Sequence, residues 1–169
     1  KKRPELFISI HANSMPTAQQ RRLNQGIETY FLSAAASGEE AKKVAARENA
    51  EVGSQPKGAS GDTLSFILAD LQRSETHVDS SRLAYSIHEA LISETGAQDR
   101  GVQQAPFYVL MGLDAPAVLV EVGFVSHPEE ARHLSDAEYQ AKLARAITVG
   151  VKQFLAQLEA RDGTGKKAD

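Results

Sequence analysis

The sequence predicts an α/β domain with three layers, in which a twisted, mostly parallel sheet is flanked by helices. Short apolar runs typical of buried strands alternate along the chain with longer amphipathic segments. The 169 residues, 41% of them hydrophobic, suffice for one domain with a sizeable core. The sequence contains no cysteine, which excludes disulfides, thiolate metal sites and a cysteine nucleophile.

Four segments have the composition of β-strands. Residues 6–10 form a short apolar run rich in β-formers, and residues 26–33 alternate apolar with polar side chains. Residues 101–110 and 117–124 indicate two more strands, separated by the turn-like sequence MGLDAP. Together they account for the predicted sheet.

Five segments have helical patterns. Ser37 and Glu40 form a capping box that opens a helix at about residues 38–50, although its apolar stripe is thin. A flexible linker at residues 52–62 precedes a helix around residues 64–71 and another at about residues 79–95, which Gly96 ends. Two further capping boxes open a short helix and a long amphipathic one; they pair Ser126 with Glu129 and Ser135 with Glu138. Residues 161–169 are expected to fray.

The net charge and the hydropathy of the sequence argue against two classes of protein, namely nucleic-acid-binding and membrane-spanning proteins. A net charge of −3 without a basic stripe argues against nucleic acid as a partner. The apolar runs are too short for a transmembrane segment. The sequence opens with KKRPELFISI and reaches a strand almost at once, so we expect a fragment whose upstream part is missing.

Two polar side chains stand at the ends of predicted strands. His11 follows the first apolar run, and Glu121 lies near the end of AVLVEVGF. Ligands bind beyond the carboxyl ends of strands in open α/β sheets, so parallel neighbours would bring both into one crevice. Imidazole binds zinc, and a carboxylate beside a metal can accept a proton from water. A lone histidine after a strand more often serves hydrogen bonding, but a buried glutamate needs a nearby cation or donor.

The other histidines are weaker candidates. His77 lies between two predicted helices, and His88 lies off the apolar face of its helix. His133 suits a helix C-terminus, and His127 suits a capping or surface role. No serine nucleophile motif, phosphate loop or dinucleotide fingerprint occurs. From spacing alone, one histidine and one glutamate indicate only a weak metal site.

Four motifs resemble one family. LFISIHAN, GIETYFLS, RGVQQAPFYVL and PAVLVEVGFVSHPEE are similar, in this order, to the catalytic domain of zinc-dependent N-acetylmuramoyl-L-alanine amidases. The combination of SIHAN and VEVGF, with RGV between them, is specific to this family. The resemblance extends over residues 6–158. It implies that His11 is the last of three protein ligands of Zn²⁺ and that Glu121 is the general base and acid. The other two ligands would lie upstream of this sequence, and His127 stands where relatives more often have asparagine.

The resemblance implies hydrolysis of the amide between N-acetylmuramic acid and the L-alanine of peptidoglycan stem peptides. That substrate places the protein in the periplasm or cell envelope. Asn13 could orient substrate or water, or equally stabilise the turn. Residues 1–160 would be a catalytic domain without its N-terminal part, and the chain alone is expected to be inactive and to bind zinc poorly.

Residues 37–78 resemble a regulatory insert that plugs the cleft until an activator protein moves it. Glu48, in the stretch ARENA, would then reach the metal as an inhibitory ligand. The alternative is a solvated surface helix. Two other functions also remain open, namely a metal-dependent cell-wall peptidase and a non-catalytic cell-wall or regulatory fragment.

Overall fold

A computed structural model describes residues 5–51 and 74–165. In these residues four strands form one sheet, and helices cover both of its faces. The strands are β1 Phe7–Asn13, β2 Ile27–Leu32, β3 Asp99–Ala105 and β4 Ala117–Phe124. The helices are α1 Ala18–Leu23, α2 Glu39–Glu51, α3 Ser74–Thr95, α4 Pro128–Ser135 and α5 Ala137–Gly165, with a 3₁₀ turn at Tyr108–Leu110.

The strand order is β1-β4-β2-β3. Strand β1 is parallel to β4, and β2 is parallel to β3, whereas β2 and β4 are antiparallel. The predicted α/β fold with a mostly parallel sheet is therefore confirmed. Because β2 runs against β4, the start of β2 lies at the same edge of the sheet as the end of β4.

Two apolar clusters give the domain its three layers. Helices α3 and α5 pack on one face, with Phe31, Val118 and Val120 of the sheet beneath them. Helix α2 and the segment around the 3₁₀ turn cover the other face, over Tyr30 and Leu119. The central strands β2 and β4 are buried along their whole length, as expected for strands that have helices on both sides.

Two glycines allow close approach between elements. Gly26 has a φ of 109°, and a Cβ there would lie 2.4 Å from the carbonyl oxygen of Gln98. At Gly150 a Cβ would lie 2.5 Å from the Cα of Ile87, so this glycine lets α5 reach the backbone of α3.

The predicted strand at residues 101–110 is wrong in its second half. Strand β3 ends at Ala105, and Tyr108–Leu110 forms the 3₁₀ turn. Pro106 cannot donate to the sheet ladder, which explains the end of the strand.

Helix α3 begins earlier than predicted, at Ser74, while Gly96 follows its end as expected. His77 consequently lies inside a helix, with its ring edge-on to Phe31 at 5.4 Å. His88 is buried rather than off the apolar face, and its ring bonds Thr29 Oγ1 at 3.1 Å and Asp99 Oδ1 at 2.8 Å.

Neither of the last two helices is capped by the predicted serine. His127 caps α4 with Nδ1, which accepts from Glu130 N at 3.5 Å, while Ser126 Oγ accepts from Met15 N at 2.9 Å. His127 is therefore a buried cap and not a surface residue. Asp136 caps α5 through Tyr139 N, at 3.0 Å.

Helix α1 was not predicted; its cap is Thr17, whose hydroxyl accepts from Gln20 N at 3.2 Å. Helix α2 matches its predicted range, but the Ser37 hydroxyl accepts from Gln104 N of β3 at 2.9 Å instead of forming the predicted capping box with Glu40. Helix α5 continues to Gly165, so residues 161–165 of the predicted tail are helical. The linker at residues 52–62, the helix around residues 64–71 and the end of the tail lie outside the described residues. Among the helices of the described ranges, none has both the length and the apolar composition needed to cross a bilayer.

Candidate metal centre

Three polar residues form a row across the sheet. His11 of β1 is paired with Glu121 of β4, and Glu121 is paired in turn with Glu28 of β2. The three strands thus place an imidazole and two carboxylates side by side at one edge of the sheet. This is the edge where β4 ends and β2 begins, so the topology brings His11 and Glu121 into one crevice.

Glu121 is fully buried, and neither of its carboxylate oxygens has a hydrogen-bond partner among the described residues. Burial, and after it the nearby carboxylates of Glu48 and Glu28, raise the pKa of Glu121 to about 8. A buried carboxyl group with unused oxygens is poised to take a proton or to face a cation.

Helix α2 lies over this row. Glu48 Oε2 is 2.6 Å from His11 Nδ1, and Ser9 Oγ is 2.9 Å from the other ring nitrogen, Nε2. One ligand atom from each of His11, Glu48 and Glu121 lies within 4.8 Å of the others. An imidazole nitrogen with carboxylate oxygens is a donor set that suits zinc, and the two Glu121 oxygens without hydrogen-bond partners suit contact with a cation. The remaining histidines take no part in this cluster.

The residues on either side of Glu48 hold the end of α2 in place. Arg47 donates to Asn13 Oδ1 at 2.7 Å and to the carbonyl oxygen of Ser14 at 2.8 Å. Asn49 donates to the carbonyl oxygen of Pro106 and accepts from Tyr108 N, each at 2.8 Å. Three consecutive side chains therefore attach the C-terminal end of α2 to the residues around the crevice, while the outer face of α2 is exposed.

Sequence reasoning missed Glu28, the third member of the row. Its carboxylate is 1% exposed, forms an ion pair with Arg100 and accepts from the Tyr30 hydroxyl at 2.5 Å. The guanidinium of Arg100 lies 5.2 Å from the centre of the Phe124 ring. Burial, then the charge of Glu28, raise the pKa of Tyr30 above its ordinary value. The signal was available, because GIETYFLS has a glutamate inside a strand just as AVLVEVGF does.

Comparisons with known proteins identify the family of the chain. Residues 1–153 match the Amidase_3 family model, described as N-acetylmuramoyl-L-alanine amidase. The chain is 33% identical over 160 residues to the N-acetylmuramoyl-L-alanine amidase AmiC of Escherichia coli O6:H1, a match that covers 92% of this chain and 37% of AmiC. It is 31% identical over 166 residues to AmiA of Escherichia coli K12, with 96% of this chain and 56% of AmiA covered.

Solved structures show the same fold. The N-acetylmuramoyl-L-alanine amidase of Clostridium difficile 630 superposes with a TM-score of 0.60 at 24% identity, over 90% of this chain and 58% of that one. The catalytic domain of the amidase CwlV from Bacillus (Paenibacillus) polymyxa gives 0.56 at 25% identity, with the same coverage. The chain thus spans little more than half the length of these structures. With nearly its whole length matched by the family model, the chain belongs to the N-acetylmuramoyl-L-alanine amidase family, hydrolases that act on amide bonds.

Proposed function

We propose that the protein containing this chain uses Zn²⁺ to hydrolyse the amide between N-acetylmuramic acid and the L-alanine of peptidoglycan stem peptides. One observation carries the proposal. Glu121 is fully buried, its two oxygens lack partners among the described residues, and it shares a cluster with His11 and Glu48. Family membership supports the choice of substrate.

In this proposal His11 is a zinc ligand. Its ring is oriented for that role, because Ser9 bonds one nitrogen and leaves Nδ1 facing the cluster. The curated relatives are longer than this chain, and we propose that two further ligands come from residues that precede it. Bound zinc would supply Lewis-acid polarisation of the substrate carbonyl and of water.

Glu121 acts as general base and then as general acid. Its carboxylate accepts a proton from the attacking water and returns it to the departing amine of L-alanine. A base whose pKa lies near the working pH exchanges protons in both directions, and burial moves the pKa of Glu121 toward that range. Exclusion of water by α2 and the sheet preserves this environment until substrate enters.

Helix α2 is an inhibitory element in this proposal. Glu48 Oε2 lies against His11 Nδ1 in the cluster that would hold the metal, so Glu48 would be an inhibitory ligand and α2 must move before substrate can bind. The candidate insert at residues 37–78 would then be regulatory, and a protein activator would displace α2. One amidase of similar fold, CwlD of Clostridioides difficile, is known in complex with the GerS lipoprotein, which supports a search for such a partner. Because peptidoglycan is the substrate, we place the protein in the periplasm or cell envelope.

Product analysis tests the proposed reaction. The whole protein, supplied with zinc, is incubated with purified peptidoglycan, and released fragments are identified by mass spectrometry and N-terminal labelling. We expect free stem peptides that begin with alanine, and none with the Glu121→Gln variant. Glu89→Gln, which changes an exposed glutamate of α3, is the matched control and should retain activity. Peptides cut between amino acids would favour a metallopeptidase, and peptidoglycan left intact by both the whole protein and its Glu48→Ala variant would favour a non-catalytic role.

A further inference from the structure

We propose that Asn13 is a substrate-binding residue whose side-chain amide pairs with a peptide group of the stem peptide, and that α2 competes for that amide through Arg47. The inference rests on the proposed function, because it assigns part of the substrate to a position beside the metal ligand.

The orientation of the Asn13 amide is defined by its partners. Its Oδ1 accepts two hydrogen bonds, from Arg47 Nη2 at 2.7 Å and from Ser14 N at 2.8 Å. Both partners are donors, so the amide cannot be flipped to place its own NH₂ group there. The NH₂ group therefore points away from both.

That NH₂ group lacks an acceptor. Asn13 is 2% exposed, and its Nδ2 is buried without a hydrogen-bond partner among the described residues. Among the described residues, the only other buried side-chain atoms without a hydrogen-bond partner are the two carboxylate oxygens of Glu121. Buried donors and acceptors are nearly always paired in native proteins, so two unpaired groups in one crevice point to a shared ligand.

Asn13 stands next to the proposed metal ligand. It follows His11 by two residues on β1, and consecutive residues of α2, Arg47 and Glu48, contact the two side chains. Both side chains therefore face α2, separated along the strand by about 6.6 Å. A peptide whose scissile amide lies at His11 and Glu121 would place its next peptide groups within reach of Asn13.

A primary amide complements a peptide group. Nδ2 can donate to a peptide carbonyl while Oδ1 accepts from a peptide N–H. In the observed arrangement Arg47 takes the accepting edge and leaves the donating edge unpaired. Displacement of α2 would make both Oδ1 and Nδ2 of Asn13 available to the substrate. The same movement would withdraw Glu48 from His11 and Arg47 from Asn13.

If Asn13 has only a structural role, Asn13→Ala should change the activity in the opposite direction from that expected for a substrate-binding residue. If Asn13 only anchors Arg47, then Asn13→Ala loosens α2 and raises activity. If Asn13 binds substrate, its removal lowers activity even when Arg47 is already absent. The experiment therefore uses an Arg47→Ala background of the whole zinc-loaded protein, in which the anchoring role is gone.

In that background, Asn13→Ala and Asn13→Asp are compared on a soluble N-acetylmuramyl tetrapeptide. We expect kcat/KM to fall about tenfold in both, mainly through KM, which corresponds to one lost neutral hydrogen bond. Asn13→Asp keeps an acceptor and loses the donor, which isolates the contribution of Nδ2. Zinc content and melting temperature should match the parent, and Asn24→Ala, which changes an amide at the end of α1, should leave kcat/KM unchanged.

A measurement of substrate affinity distinguishes a failure of this inference from a failure of the proposed function. Affinity for the same fragment is measured in Glu121→Gln/Arg47→Ala protein with and without Asn13→Ala, and we expect about tenfold weaker binding without the amide. If the Arg47→Ala protein binds the fragment but does not cleave it, the proposed reaction is refuted, and the affinity comparison still tests Asn13. If the Arg47→Ala protein cleaves the fragment, and Asn13→Ala changes neither KM nor the affinity, the inference alone is overturned. If the Arg47→Ala protein neither binds nor cleaves the fragment, both are overturned.

Discussion

At the scale of single residues, the protein buries charged groups in two different ways. Glu28 has a cation and a hydroxyl donor, whereas its neighbour across the sheet, Glu121, has neither within the described residues. The first arrangement is typical of a structural carboxylate. The second is costly unless the group is protonated or faces a ligand, and this difference separates the candidate base from its neighbour.

The raised pKa of Glu121 predicts a pH dependence of stability. Its ordinary value is 4.5 and its value in the folded chain is about 8, so the folded state retains the proton over a range where the unfolded state releases it. The contribution of Glu121 to stability is therefore complete below about pH 4.5 and is lost as pH rises through about 8. Denaturant unfolding of this chain in chelator should show the loss between pH 5 and pH 8, on the order of a few kcal/mol. In the Glu121→Gln variant, the free energy of unfolding should depend less on pH. An equal pH dependence in both proteins would refute the raised pKa of Glu121.

The ion pair of Glu28 and Arg100 predicts a large effect of charge removal. Arg100→Leu leaves a buried carboxylate without its cation, so we expect the free energy of unfolding to fall by about 3–5 kcal/mol at neutral pH. Arg145→Leu removes an exposed arginine of α5 and is the control, with an expected change within about 0.5 kcal/mol. Adding Glu28→Gln to Arg100→Leu should recover part of the loss. Equal effects of the two arginine variants would show that the pair does not stabilise the fold.

His11 and Glu121 could be selected from the sequence because each interrupts or ends an apolar run. Glu48 could not be selected by pattern, since it is one of several carboxylates in a polar helix; it came from the family resemblance. Asn13 lies two residues after His11 in the sequence, but its unpaired donor is a property of three-dimensional packing. His88 was misjudged because its partners, Thr29 and Asp99, belong to other elements.

At the scale of elements, α2 is held by few apolar contacts and several polar ones. Its buried side chains are small, namely Ala41, Val44 and Ala45, as its thin stripe predicts. The contacts of Arg47, Glu48 and Asn49 concentrate at its C-terminal end. Such a helix can leave the sheet at a lower cost than α3 or α5, which contribute large side chains to the core.

Removal of Glu48 should release α2. In the whole protein, Glu48→Ala is expected to raise the basal rate of peptidoglycan cleavage several-fold and to speed amide hydrogen exchange in residues 39–51. The reason is that α2 loses its contact with His11, so the crevice beside His11 and Glu121 becomes accessible to substrate. Glu40→Ala serves as the control, because Glu40 lies on the exposed side of α2 and pairs only with Lys43 within the described structure. Unchanged exchange and an unchanged or lower rate would contradict an inhibitory α2.

Helix and strand positions were predictable from local patterns, but several of their ends were not. Ser126 is a suitable cap by sequence, yet its hydroxyl accepts from Met15 N, a residue 111 positions away. The adjacent His127 caps α4 instead. Tertiary contacts of this kind decide which of two neighbouring polar residues caps a helix, so a capping box locates a helix to within a residue or two.

At the scale of the whole molecule, the site depends on strand order. Strand patterns predict that strands exist, but they do not predict that β4 lies between β1 and β2. This order places residues 11, 121 and 28 side by side although they lie far apart in the sequence. The expectation that His11 and Glu121 share a crevice assumed parallel neighbouring strands, and the register of β1 with β4 supplies that arrangement.

The central claim is that His11 holds a metal and Glu121 moves protons beside it. Zinc content and peptidoglycan cleavage, measured on the same samples of the whole protein, test this division most directly. We expect about one zinc per chain in wild type, loss of both zinc and cleavage in His11→Ala, and retained zinc with abolished cleavage in Glu121→Gln. Full cleavage by Glu121→Gln, or undiminished zinc in His11→Ala, would contradict the account.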